Sequence, residues 1–129
     1  MSYNISVDEE NRIINITWNG ALDFSILKRF VLSYNYHITH TDHHLLYDFT
    51  KVSDLVLAEE DMSQVADLAR QVFDPLLKNV KVAMLTANPE IAALTRSFVS
   101  MRKNRSEGAP SYDFFEDFDQ AINWLKSDG

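Results

Sequence analysis

The apolar residues of this chain change their period at Asp23, and that change constrains the fold more than any other feature. Before it, "YNISVDEENRIINITW" alternates: Ile5 and Val7 share one face, and Ile14, Ile16 and Trp18 another, around the polar turn "DEEN". Alternation suits half-buried strands, so a β-hairpin is expected from about Asn4 to Trp18. Asn19-Gly20 then ends the second strand, because glycine takes a positive φ without a Cβ clash. After Asp23 the spacing becomes helical. Phe24, Leu27, Phe30, Val31 and Tyr34 form one stripe, with Asp23 placed as its N-cap.

The switch then repeats. "LLYDF" (Leu45–Phe49) is a short apolar run and reads as a strand; "TKVSDLVL" reads as a loop. "AEEDMSQVADLARQVFDPLL" is a strong helical pattern, with Met62, Val65, Ala66, Leu68, Ala69, Val72 and Phe73 facing inward. Glu59, Glu60 and Asp61 suit the positive end of its dipole, and Pro75 ends or kinks it. "VKVAMLT" is the next strand. Asn88-Pro89 pairs a capping asparagine with a proline at the first helical position, and that helix runs to about Lys103. "SEGAP" is a turn and "SYDFF" a last strand. Asp117 with Gln120 has the capping-box spacing, and Phe118, Ala121, Ile122 and Leu125 dock the closing helix.

The order β-β-α-β-α-β-α-β-α predicts an α/β fold: a mixed, mostly parallel sheet with helices packed on it through right-handed crossovers. No repeat or linker divides the chain, so residues 1–129 are expected to form a single domain. Hydrophobic residues make up 46% and aromatics 12%, enough for a packed core. Net charge is −7, which disfavours nucleic acid and anionic membranes. "MSYNISVDEE" lacks the pattern of a signal peptide, and no apolar stretch nears the ~20 residues that span a bilayer. Cysteine is absent, which fits a reducing compartment. A cytoplasmic protein without membrane insertion is expected.

The chain resembles the STAS-like domains, specifically the SpoIIAA-like group. "WNGALDFSILKRF" looks like that family's strand, glycine turn and first helix, and "HHLLYDFTKVSDLVLAEEDM" like its central strand, loop and second helix. "VKVAMLTANPEIAALTRSF" and "GAPSYDFFEDFDQAINWL" look like its later strand–helix pairs. The resemblance covers about the full length. It implies a SpoIIAA-like fold, related to that of lipid-carrier domains of the Sec14 type. In the sporulation anti-anti-sigma factors, a serine at the start of the second helix is phosphorylated and switches a protein partner. The matching positions here are Val56, Leu57, Ala58 and Glu59, with no hydroxyl; Ser53 and Thr50 lie off the motif. The phospho-switch is therefore not carried over.

"HITHTDHH" (37–44) holds all four histidines. His37 and His40 share a helical face, with Asp42 as a further ligand, whereas His43 and His44 are adjacent in a strand and point to opposite faces. The weight falls on a surface loop that gains charge below pH ~6.5. No metal and no cofactor are expected. Arg96, Arg102, Lys103 and Arg105 suggest an anion patch, but three of them suit the end of a helix. Asp48, Thr86 and Asn88 lie where parallel strands end and ligands often bind, yet Asp48 can satisfy its own loop and Asn88 serves as a cap. No nucleophile elbow or phosphate-binding glycine loop is present, so no catalytic set emerges and an enzyme is not expected.

The expected role is non-catalytic: a regulatory or protein-interaction domain that binds a partner protein or a second copy of itself. The expected surface comprises Asp48, Asp54, Leu55, Val56, Leu57, Ala58 and Glu59, where an apolar run meets a helix start. The alternative is a carrier or sensor of a small apolar ligand held between sheet and helices. A cavity above ~300 Å³ would favour that alternative.

Overall fold

The structure, a computed structural model, describes residues 2–37, 42–77, 79–105 and 110–127. Strands β1 (Ser2–Asp8) and β2 (Ile13–Asp23) form the expected hairpin. Ile5 lies opposite Ile16 and Val7 opposite Ile14, so these side chains share one face of the sheet rather than two. Asp8 fastens the turn. It accepts the Asn11 side-chain amide at 2.8 Å and the Asn11 backbone N–H at 3.1 Å. Those two bonds hold its carboxyl below the ordinary value.

The chain continues as α1 (Phe24–His37), β3 (His44–Val56), α2 (Glu59–Val72), β4 (Lys81–Leu85), α3 (Pro89–Arg105), β5 (Ser111–Phe115) and α4 (Phe118–Lys126). The sheet order is β1-β2-β3-β4-β5, parallel from β2 onward. The α/β class and the element order are as the sequence predicts. Three helix starts use the expected side chains. Asp23 Oδ1 accepts the Ile26 N–H at 2.9 Å, Asn88 Oδ1 the Glu90 N–H at 2.7 Å, and Asp117 Oδ1 the Asp119 N–H at 2.8 Å. Ala58 caps α2 without a side-chain acceptor, and only the reverse bond forms, from the Ala58 N–H to Asp61 Oδ2 at 2.9 Å.

Helices α1, α2 and α3 cover one face of the sheet; α4 covers part of the other. On the first face Trp18 stacks on Phe49 (5.9 Å, 7°) and meets Phe30 edge-on (4.9 Å). On the second, Ala121 and Leu125 pack on Ile13, Leu46, Ala83 and Leu85. Leu45 and Leu46 are both buried although they point to opposite faces. That two-sided burial explains the unbroken apolar run of this central strand. Phe118 does not dock as expected and stays half-exposed.

Among element boundaries the largest departure from the sequence reading is at β2 and β3. β2 does not end at Asn19-Gly20, and "TKVSDLV" is strand rather than loop. Gly20 does take the positive φ, 79°, but inside the strand. β3 has 13 residues against 11 in β2, and the register steps twice, between Thr17 and Asn19 and between Gly20 and Ala21. Each step places one extra residue on β3, a bulge. A bulge breaks period-two alternation, which is the signal a strand leaves in sequence.

Candidate functional site

The second half of β3 is built differently from the first. Leu45–Asp48 pair with β2 on one side and β4 on the other. Beyond Asp48 the strand pairs with β2 alone, through Lys51, Val52, Asp54, Leu55 and Val56. β4 stops at Leu85, opposite Asp48, and the next amide, Thr86 N–H, donates to Phe115 O at 3.0 Å. The chain thus turns toward β5 and leaves the outer half of β3 as a two-stranded arm with β2. The side chain of Asp48 holds the first bulge. Its Oδ1 accepts the Thr50 N–H at 2.9 Å and the Thr50 hydroxyl at 2.6 Å. These bonds are local to the strand, and Asp48 lies in its first half, before the other expected surface residues.

Those others divide by burial. Leu55 and Leu57 are partly buried and pack on the main core, together with Val52. Val56, between them, is 63% exposed, the most exposed large apolar side chain among the described residues. Asp54, Ala58 and Glu59 are also exposed. The expected apolar run is thus not one patch: two leucines anchor the arm and one valine faces outward. Acidic residues follow it in the chain, with Glu59, Glu60 and Asp61 in the first turn of α2. Between the arm and the start of α3 lies a polar groove of about 190 Å³, lined by Ser53, Asp54, Leu55, Asn88, Glu90 and Ile91.

An apolar cavity lies between the sheet and helices α1 to α3, lined among others by Trp18, Phe30, Phe49, Phe73 and Phe98. Its volume is about 50 Å³, well short of the roughly 300 Å³ of a small-molecule pocket. Trp18 Nε1 is buried and has no hydrogen-bond partner among the described residues.

Among the described side chains the basic stretch does not form a patch, and the Arg105 side chain lies outside them. Arg102 is fully buried. Its Nη2 donates to Asp74 Oδ1 at 2.6 Å, Nη1 to Asp74 Oδ2 at 3.2 Å, and Nε to the Tyr112 hydroxyl at 3.2 Å. Burial alone would lower the guanidinium pKa, but the Asp74 bonds and Tyr112 more than offset it and raise it. Burial likewise pushes the Tyr112 phenol up. Arg96 lies over the Phe114 ring at 4.3 Å. Sequence reasoning missed the Asp74–Arg102–Tyr112 cluster, since no local pattern links residues so far apart in the chain.

The described histidines are not solvated loop residues either. His43 is buried, with Nδ1 3.0 Å from Asp42 and Nε2 3.6 Å from Glu9. His44 Nδ1 accepts the Lys81 N–H at 2.9 Å. Burial, then the Lys81 ammonium and His43, depress the His44 pKa. The expected loop charge thus fails at His44. His40 and the side chain of His37 lie outside the described residues. Among the described residues no group of three or more histidines and carboxylates is placed to hold a metal ion, and no helix is long and apolar enough to cross a membrane.

No protein-family profile and no curated protein matches this chain. Solved structures do match, and two of them illustrate the likeness. An uncharacterized protein of the DUF3478 family from Shewanella loihica PV-4, described as having a SpoIIAA-like fold, superposes with a TM-score of 0.59 at 19% identity. The match covers 96% of this chain and 92% of that one. The anti-sigma factor antagonist SpoIIAA, in its unphosphorylated form, superposes with a TM-score of 0.58 at 10% identity. Here the coverage is 98% and 99%. At such identities the likeness speaks for the fold alone. Strand order, helix placement and both superpositions agree that this chain has the SpoIIAA-like, or STAS-like, fold.

Proposed function

We propose that this protein is a non-catalytic regulatory module, acting in the cytoplasm, that binds a partner protein through the β3 arm and the start of α2. The observation that carries the reading is Val56. A valine 63% exposed at the tip of an arm anchored by two partly buried neighbours is held outward by the fold. Isolated exposed apolar residues are common, but this one lies two to four residues in sequence from the exposed acidic residues Asp54, Glu59 and Glu60, the composition of an apolar centre with a charged rim. The match to an anti-sigma factor antagonist supports a protein-binding role by analogy of fold. Regulation here does not use the family's serine position, since Val56 to Glu59 carry no hydroxyl.

The test is native mass spectrometry of the protein purified from its source cells. A complex or dimer mass is expected for the wild type and should be lost in Val56→Glu. Identical masses for both proteins would refute the surface. The second reading, a small apolar ligand, has one observation in its favour: a wholly apolar, aromatic-lined cavity between the sheet and the helices. The 50 Å³ cavity would have to open several-fold to take such a ligand. A co-purifying mass of lipid size in the same experiment would establish it.

A further inference from the structure

We infer that the outer half of β3 is a docking edge for an extended, basic peptide segment, which pairs with it as an added strand where β4 stops. The inference rests on the interaction reading above and specifies its geometry. Three observations converge. First, among the described residues β3 has no strand partner on its outer side beyond Asp48, whereas its inner side stays paired as far as Val56. An unpaired strand edge presents a row of N–H and C=O groups, the template that strand-adding peptides use. Second, the edge is not simply open to solvent. The 190 Å³ groove runs beside it, with Asn88, Glu90 and Ile91 of the α3 start as its far wall. That is the space a continued β4 would fill.

Third, the charge of the groove selects the occupant. Asp54 lies on the strand and Glu90 on the facing wall, with Glu59, Glu60 and Asp61 in the first turn of α2. Side chains of an added strand alternate between two faces, so one set enters the groove and the other faces out. Lysine or arginine in the inward set would meet Asp54 and Glu90. A second copy of this chain would bring its own Asp54 and Glu90 to the same edge, and like charges disfavour that pairing. Lys51 is a basic residue at the near end of the arm, leaving the acidic groups toward the tip.

The experiment uses the full chain and a labelled peptide of about eight residues, the length of a short strand, alternating lysine and valine. Binding is read by fluorescence anisotropy, and the site by hydrogen exchange of the backbone amides. The inference expects binding with slowed exchange confined to Thr50–Val56. A peptide with prolines in place of alternate valines, which lack the N–H, should bind about tenfold more weakly or worse. Asp54→Lys with Glu90→Lys should lose the lysine peptide and gain one alternating glutamate and valine. Absence of binding, equal binding of the proline peptide, or protection on β1 or a helix face overturns the inference. Slowed exchange at Thr50–Val56 that rises with protein concentration alone would assign the edge to a second copy and overturn it too. If Val56→Glu loses its partner but the peptide leaves the edge unprotected, only the strand-addition geometry falls. If the peptide protects the edge but Val56→Glu keeps every complex, the Val56 surface falls and the edge stands.

Discussion

Arg102 and Val56 both break the rule that charge goes outside and apolar surface inside, and they break it in opposite directions. Arg102 is fully buried and Val56 is 63% exposed. The difference lies in their partners. Arg102 has two hydrogen bonds to Asp74 and one to Tyr112, so its burial is compensated within the fold. Val56 ends strand β3 and has no cover. A satisfied exception is a structural device; the uncovered one at Val56 is what the proposed partner surface rests on.

The largest expected effect tests the first half of that contrast. Asp74→Ala leaves the Arg102 charge buried without its carboxylate and should cost about 3–5 kcal/mol in urea unfolding. The double variant Asp74→Leu/Arg102→Met should cost less than Asp74→Ala alone, because it removes both charges together. A double variant worse than the single would mean that the cluster stabilises through more than mutual neutralisation. Next in size is the α2 start. Ala58→Ser supplies the missing cap acceptor and should stabilise by about 1 kcal/mol, seen as a higher Tm. An unchanged Tm would indicate that the Asp61 bond already saturates this end.

A smaller effect comes from pH. His44 has its pKa depressed below the ordinary 6.5, so the folded state binds its proton less readily than the unfolded chain. Its contribution is therefore complete above pH 6.5 and declines as pH falls below that toward the lowered value. The urea midpoint should drop on going from neutral to mildly acidic pH, and His44→Gln should flatten that slope. The smallest stability effect is expected at the other pole of the contrast. Val56→Glu should change unfolding by no more than about 0.5 kcal/mol, while removing the partner complex. A larger loss would mean that Val56 is held by the fold after all.

Much of this fold was legible in the sequence because its signals are local. Asp23, Asn88 and Asp117 announce helix starts by their own side chains, and "LLYDF" and "VKVAML" are continuous apolar runs of central strands. The β3 arm was illegible for an equally physical reason. One bulge shifts its phase between Asp48 and Lys51 and the other between Val52 and Asp54, so the alternation that marks a strand is missing. The expected surface grouped Leu55 and Leu57 with Val56, since adjacency in sequence does not say which side chain turns inward. Arg102 was misread because its partner Asp74 is distant in the chain. The histidines were misread because burial of His43 and the Lys81 amide on His44 Nδ1 are tertiary facts.

The most direct measurement uses the absence of cysteine. Val56→Cys installs a unique thiol at the arm tip, and Asn123→Cys places a control on exposed α4. Thiol-labelling rates are compared in source cells and on the purified proteins. Occupation of the arm by a partner predicts several-fold slower labelling of V56C in cells than in isolation, with N123C little changed. Equal slowing of both thiols, or none at V56C, would contradict the claim that this arm is where the protein meets its partner.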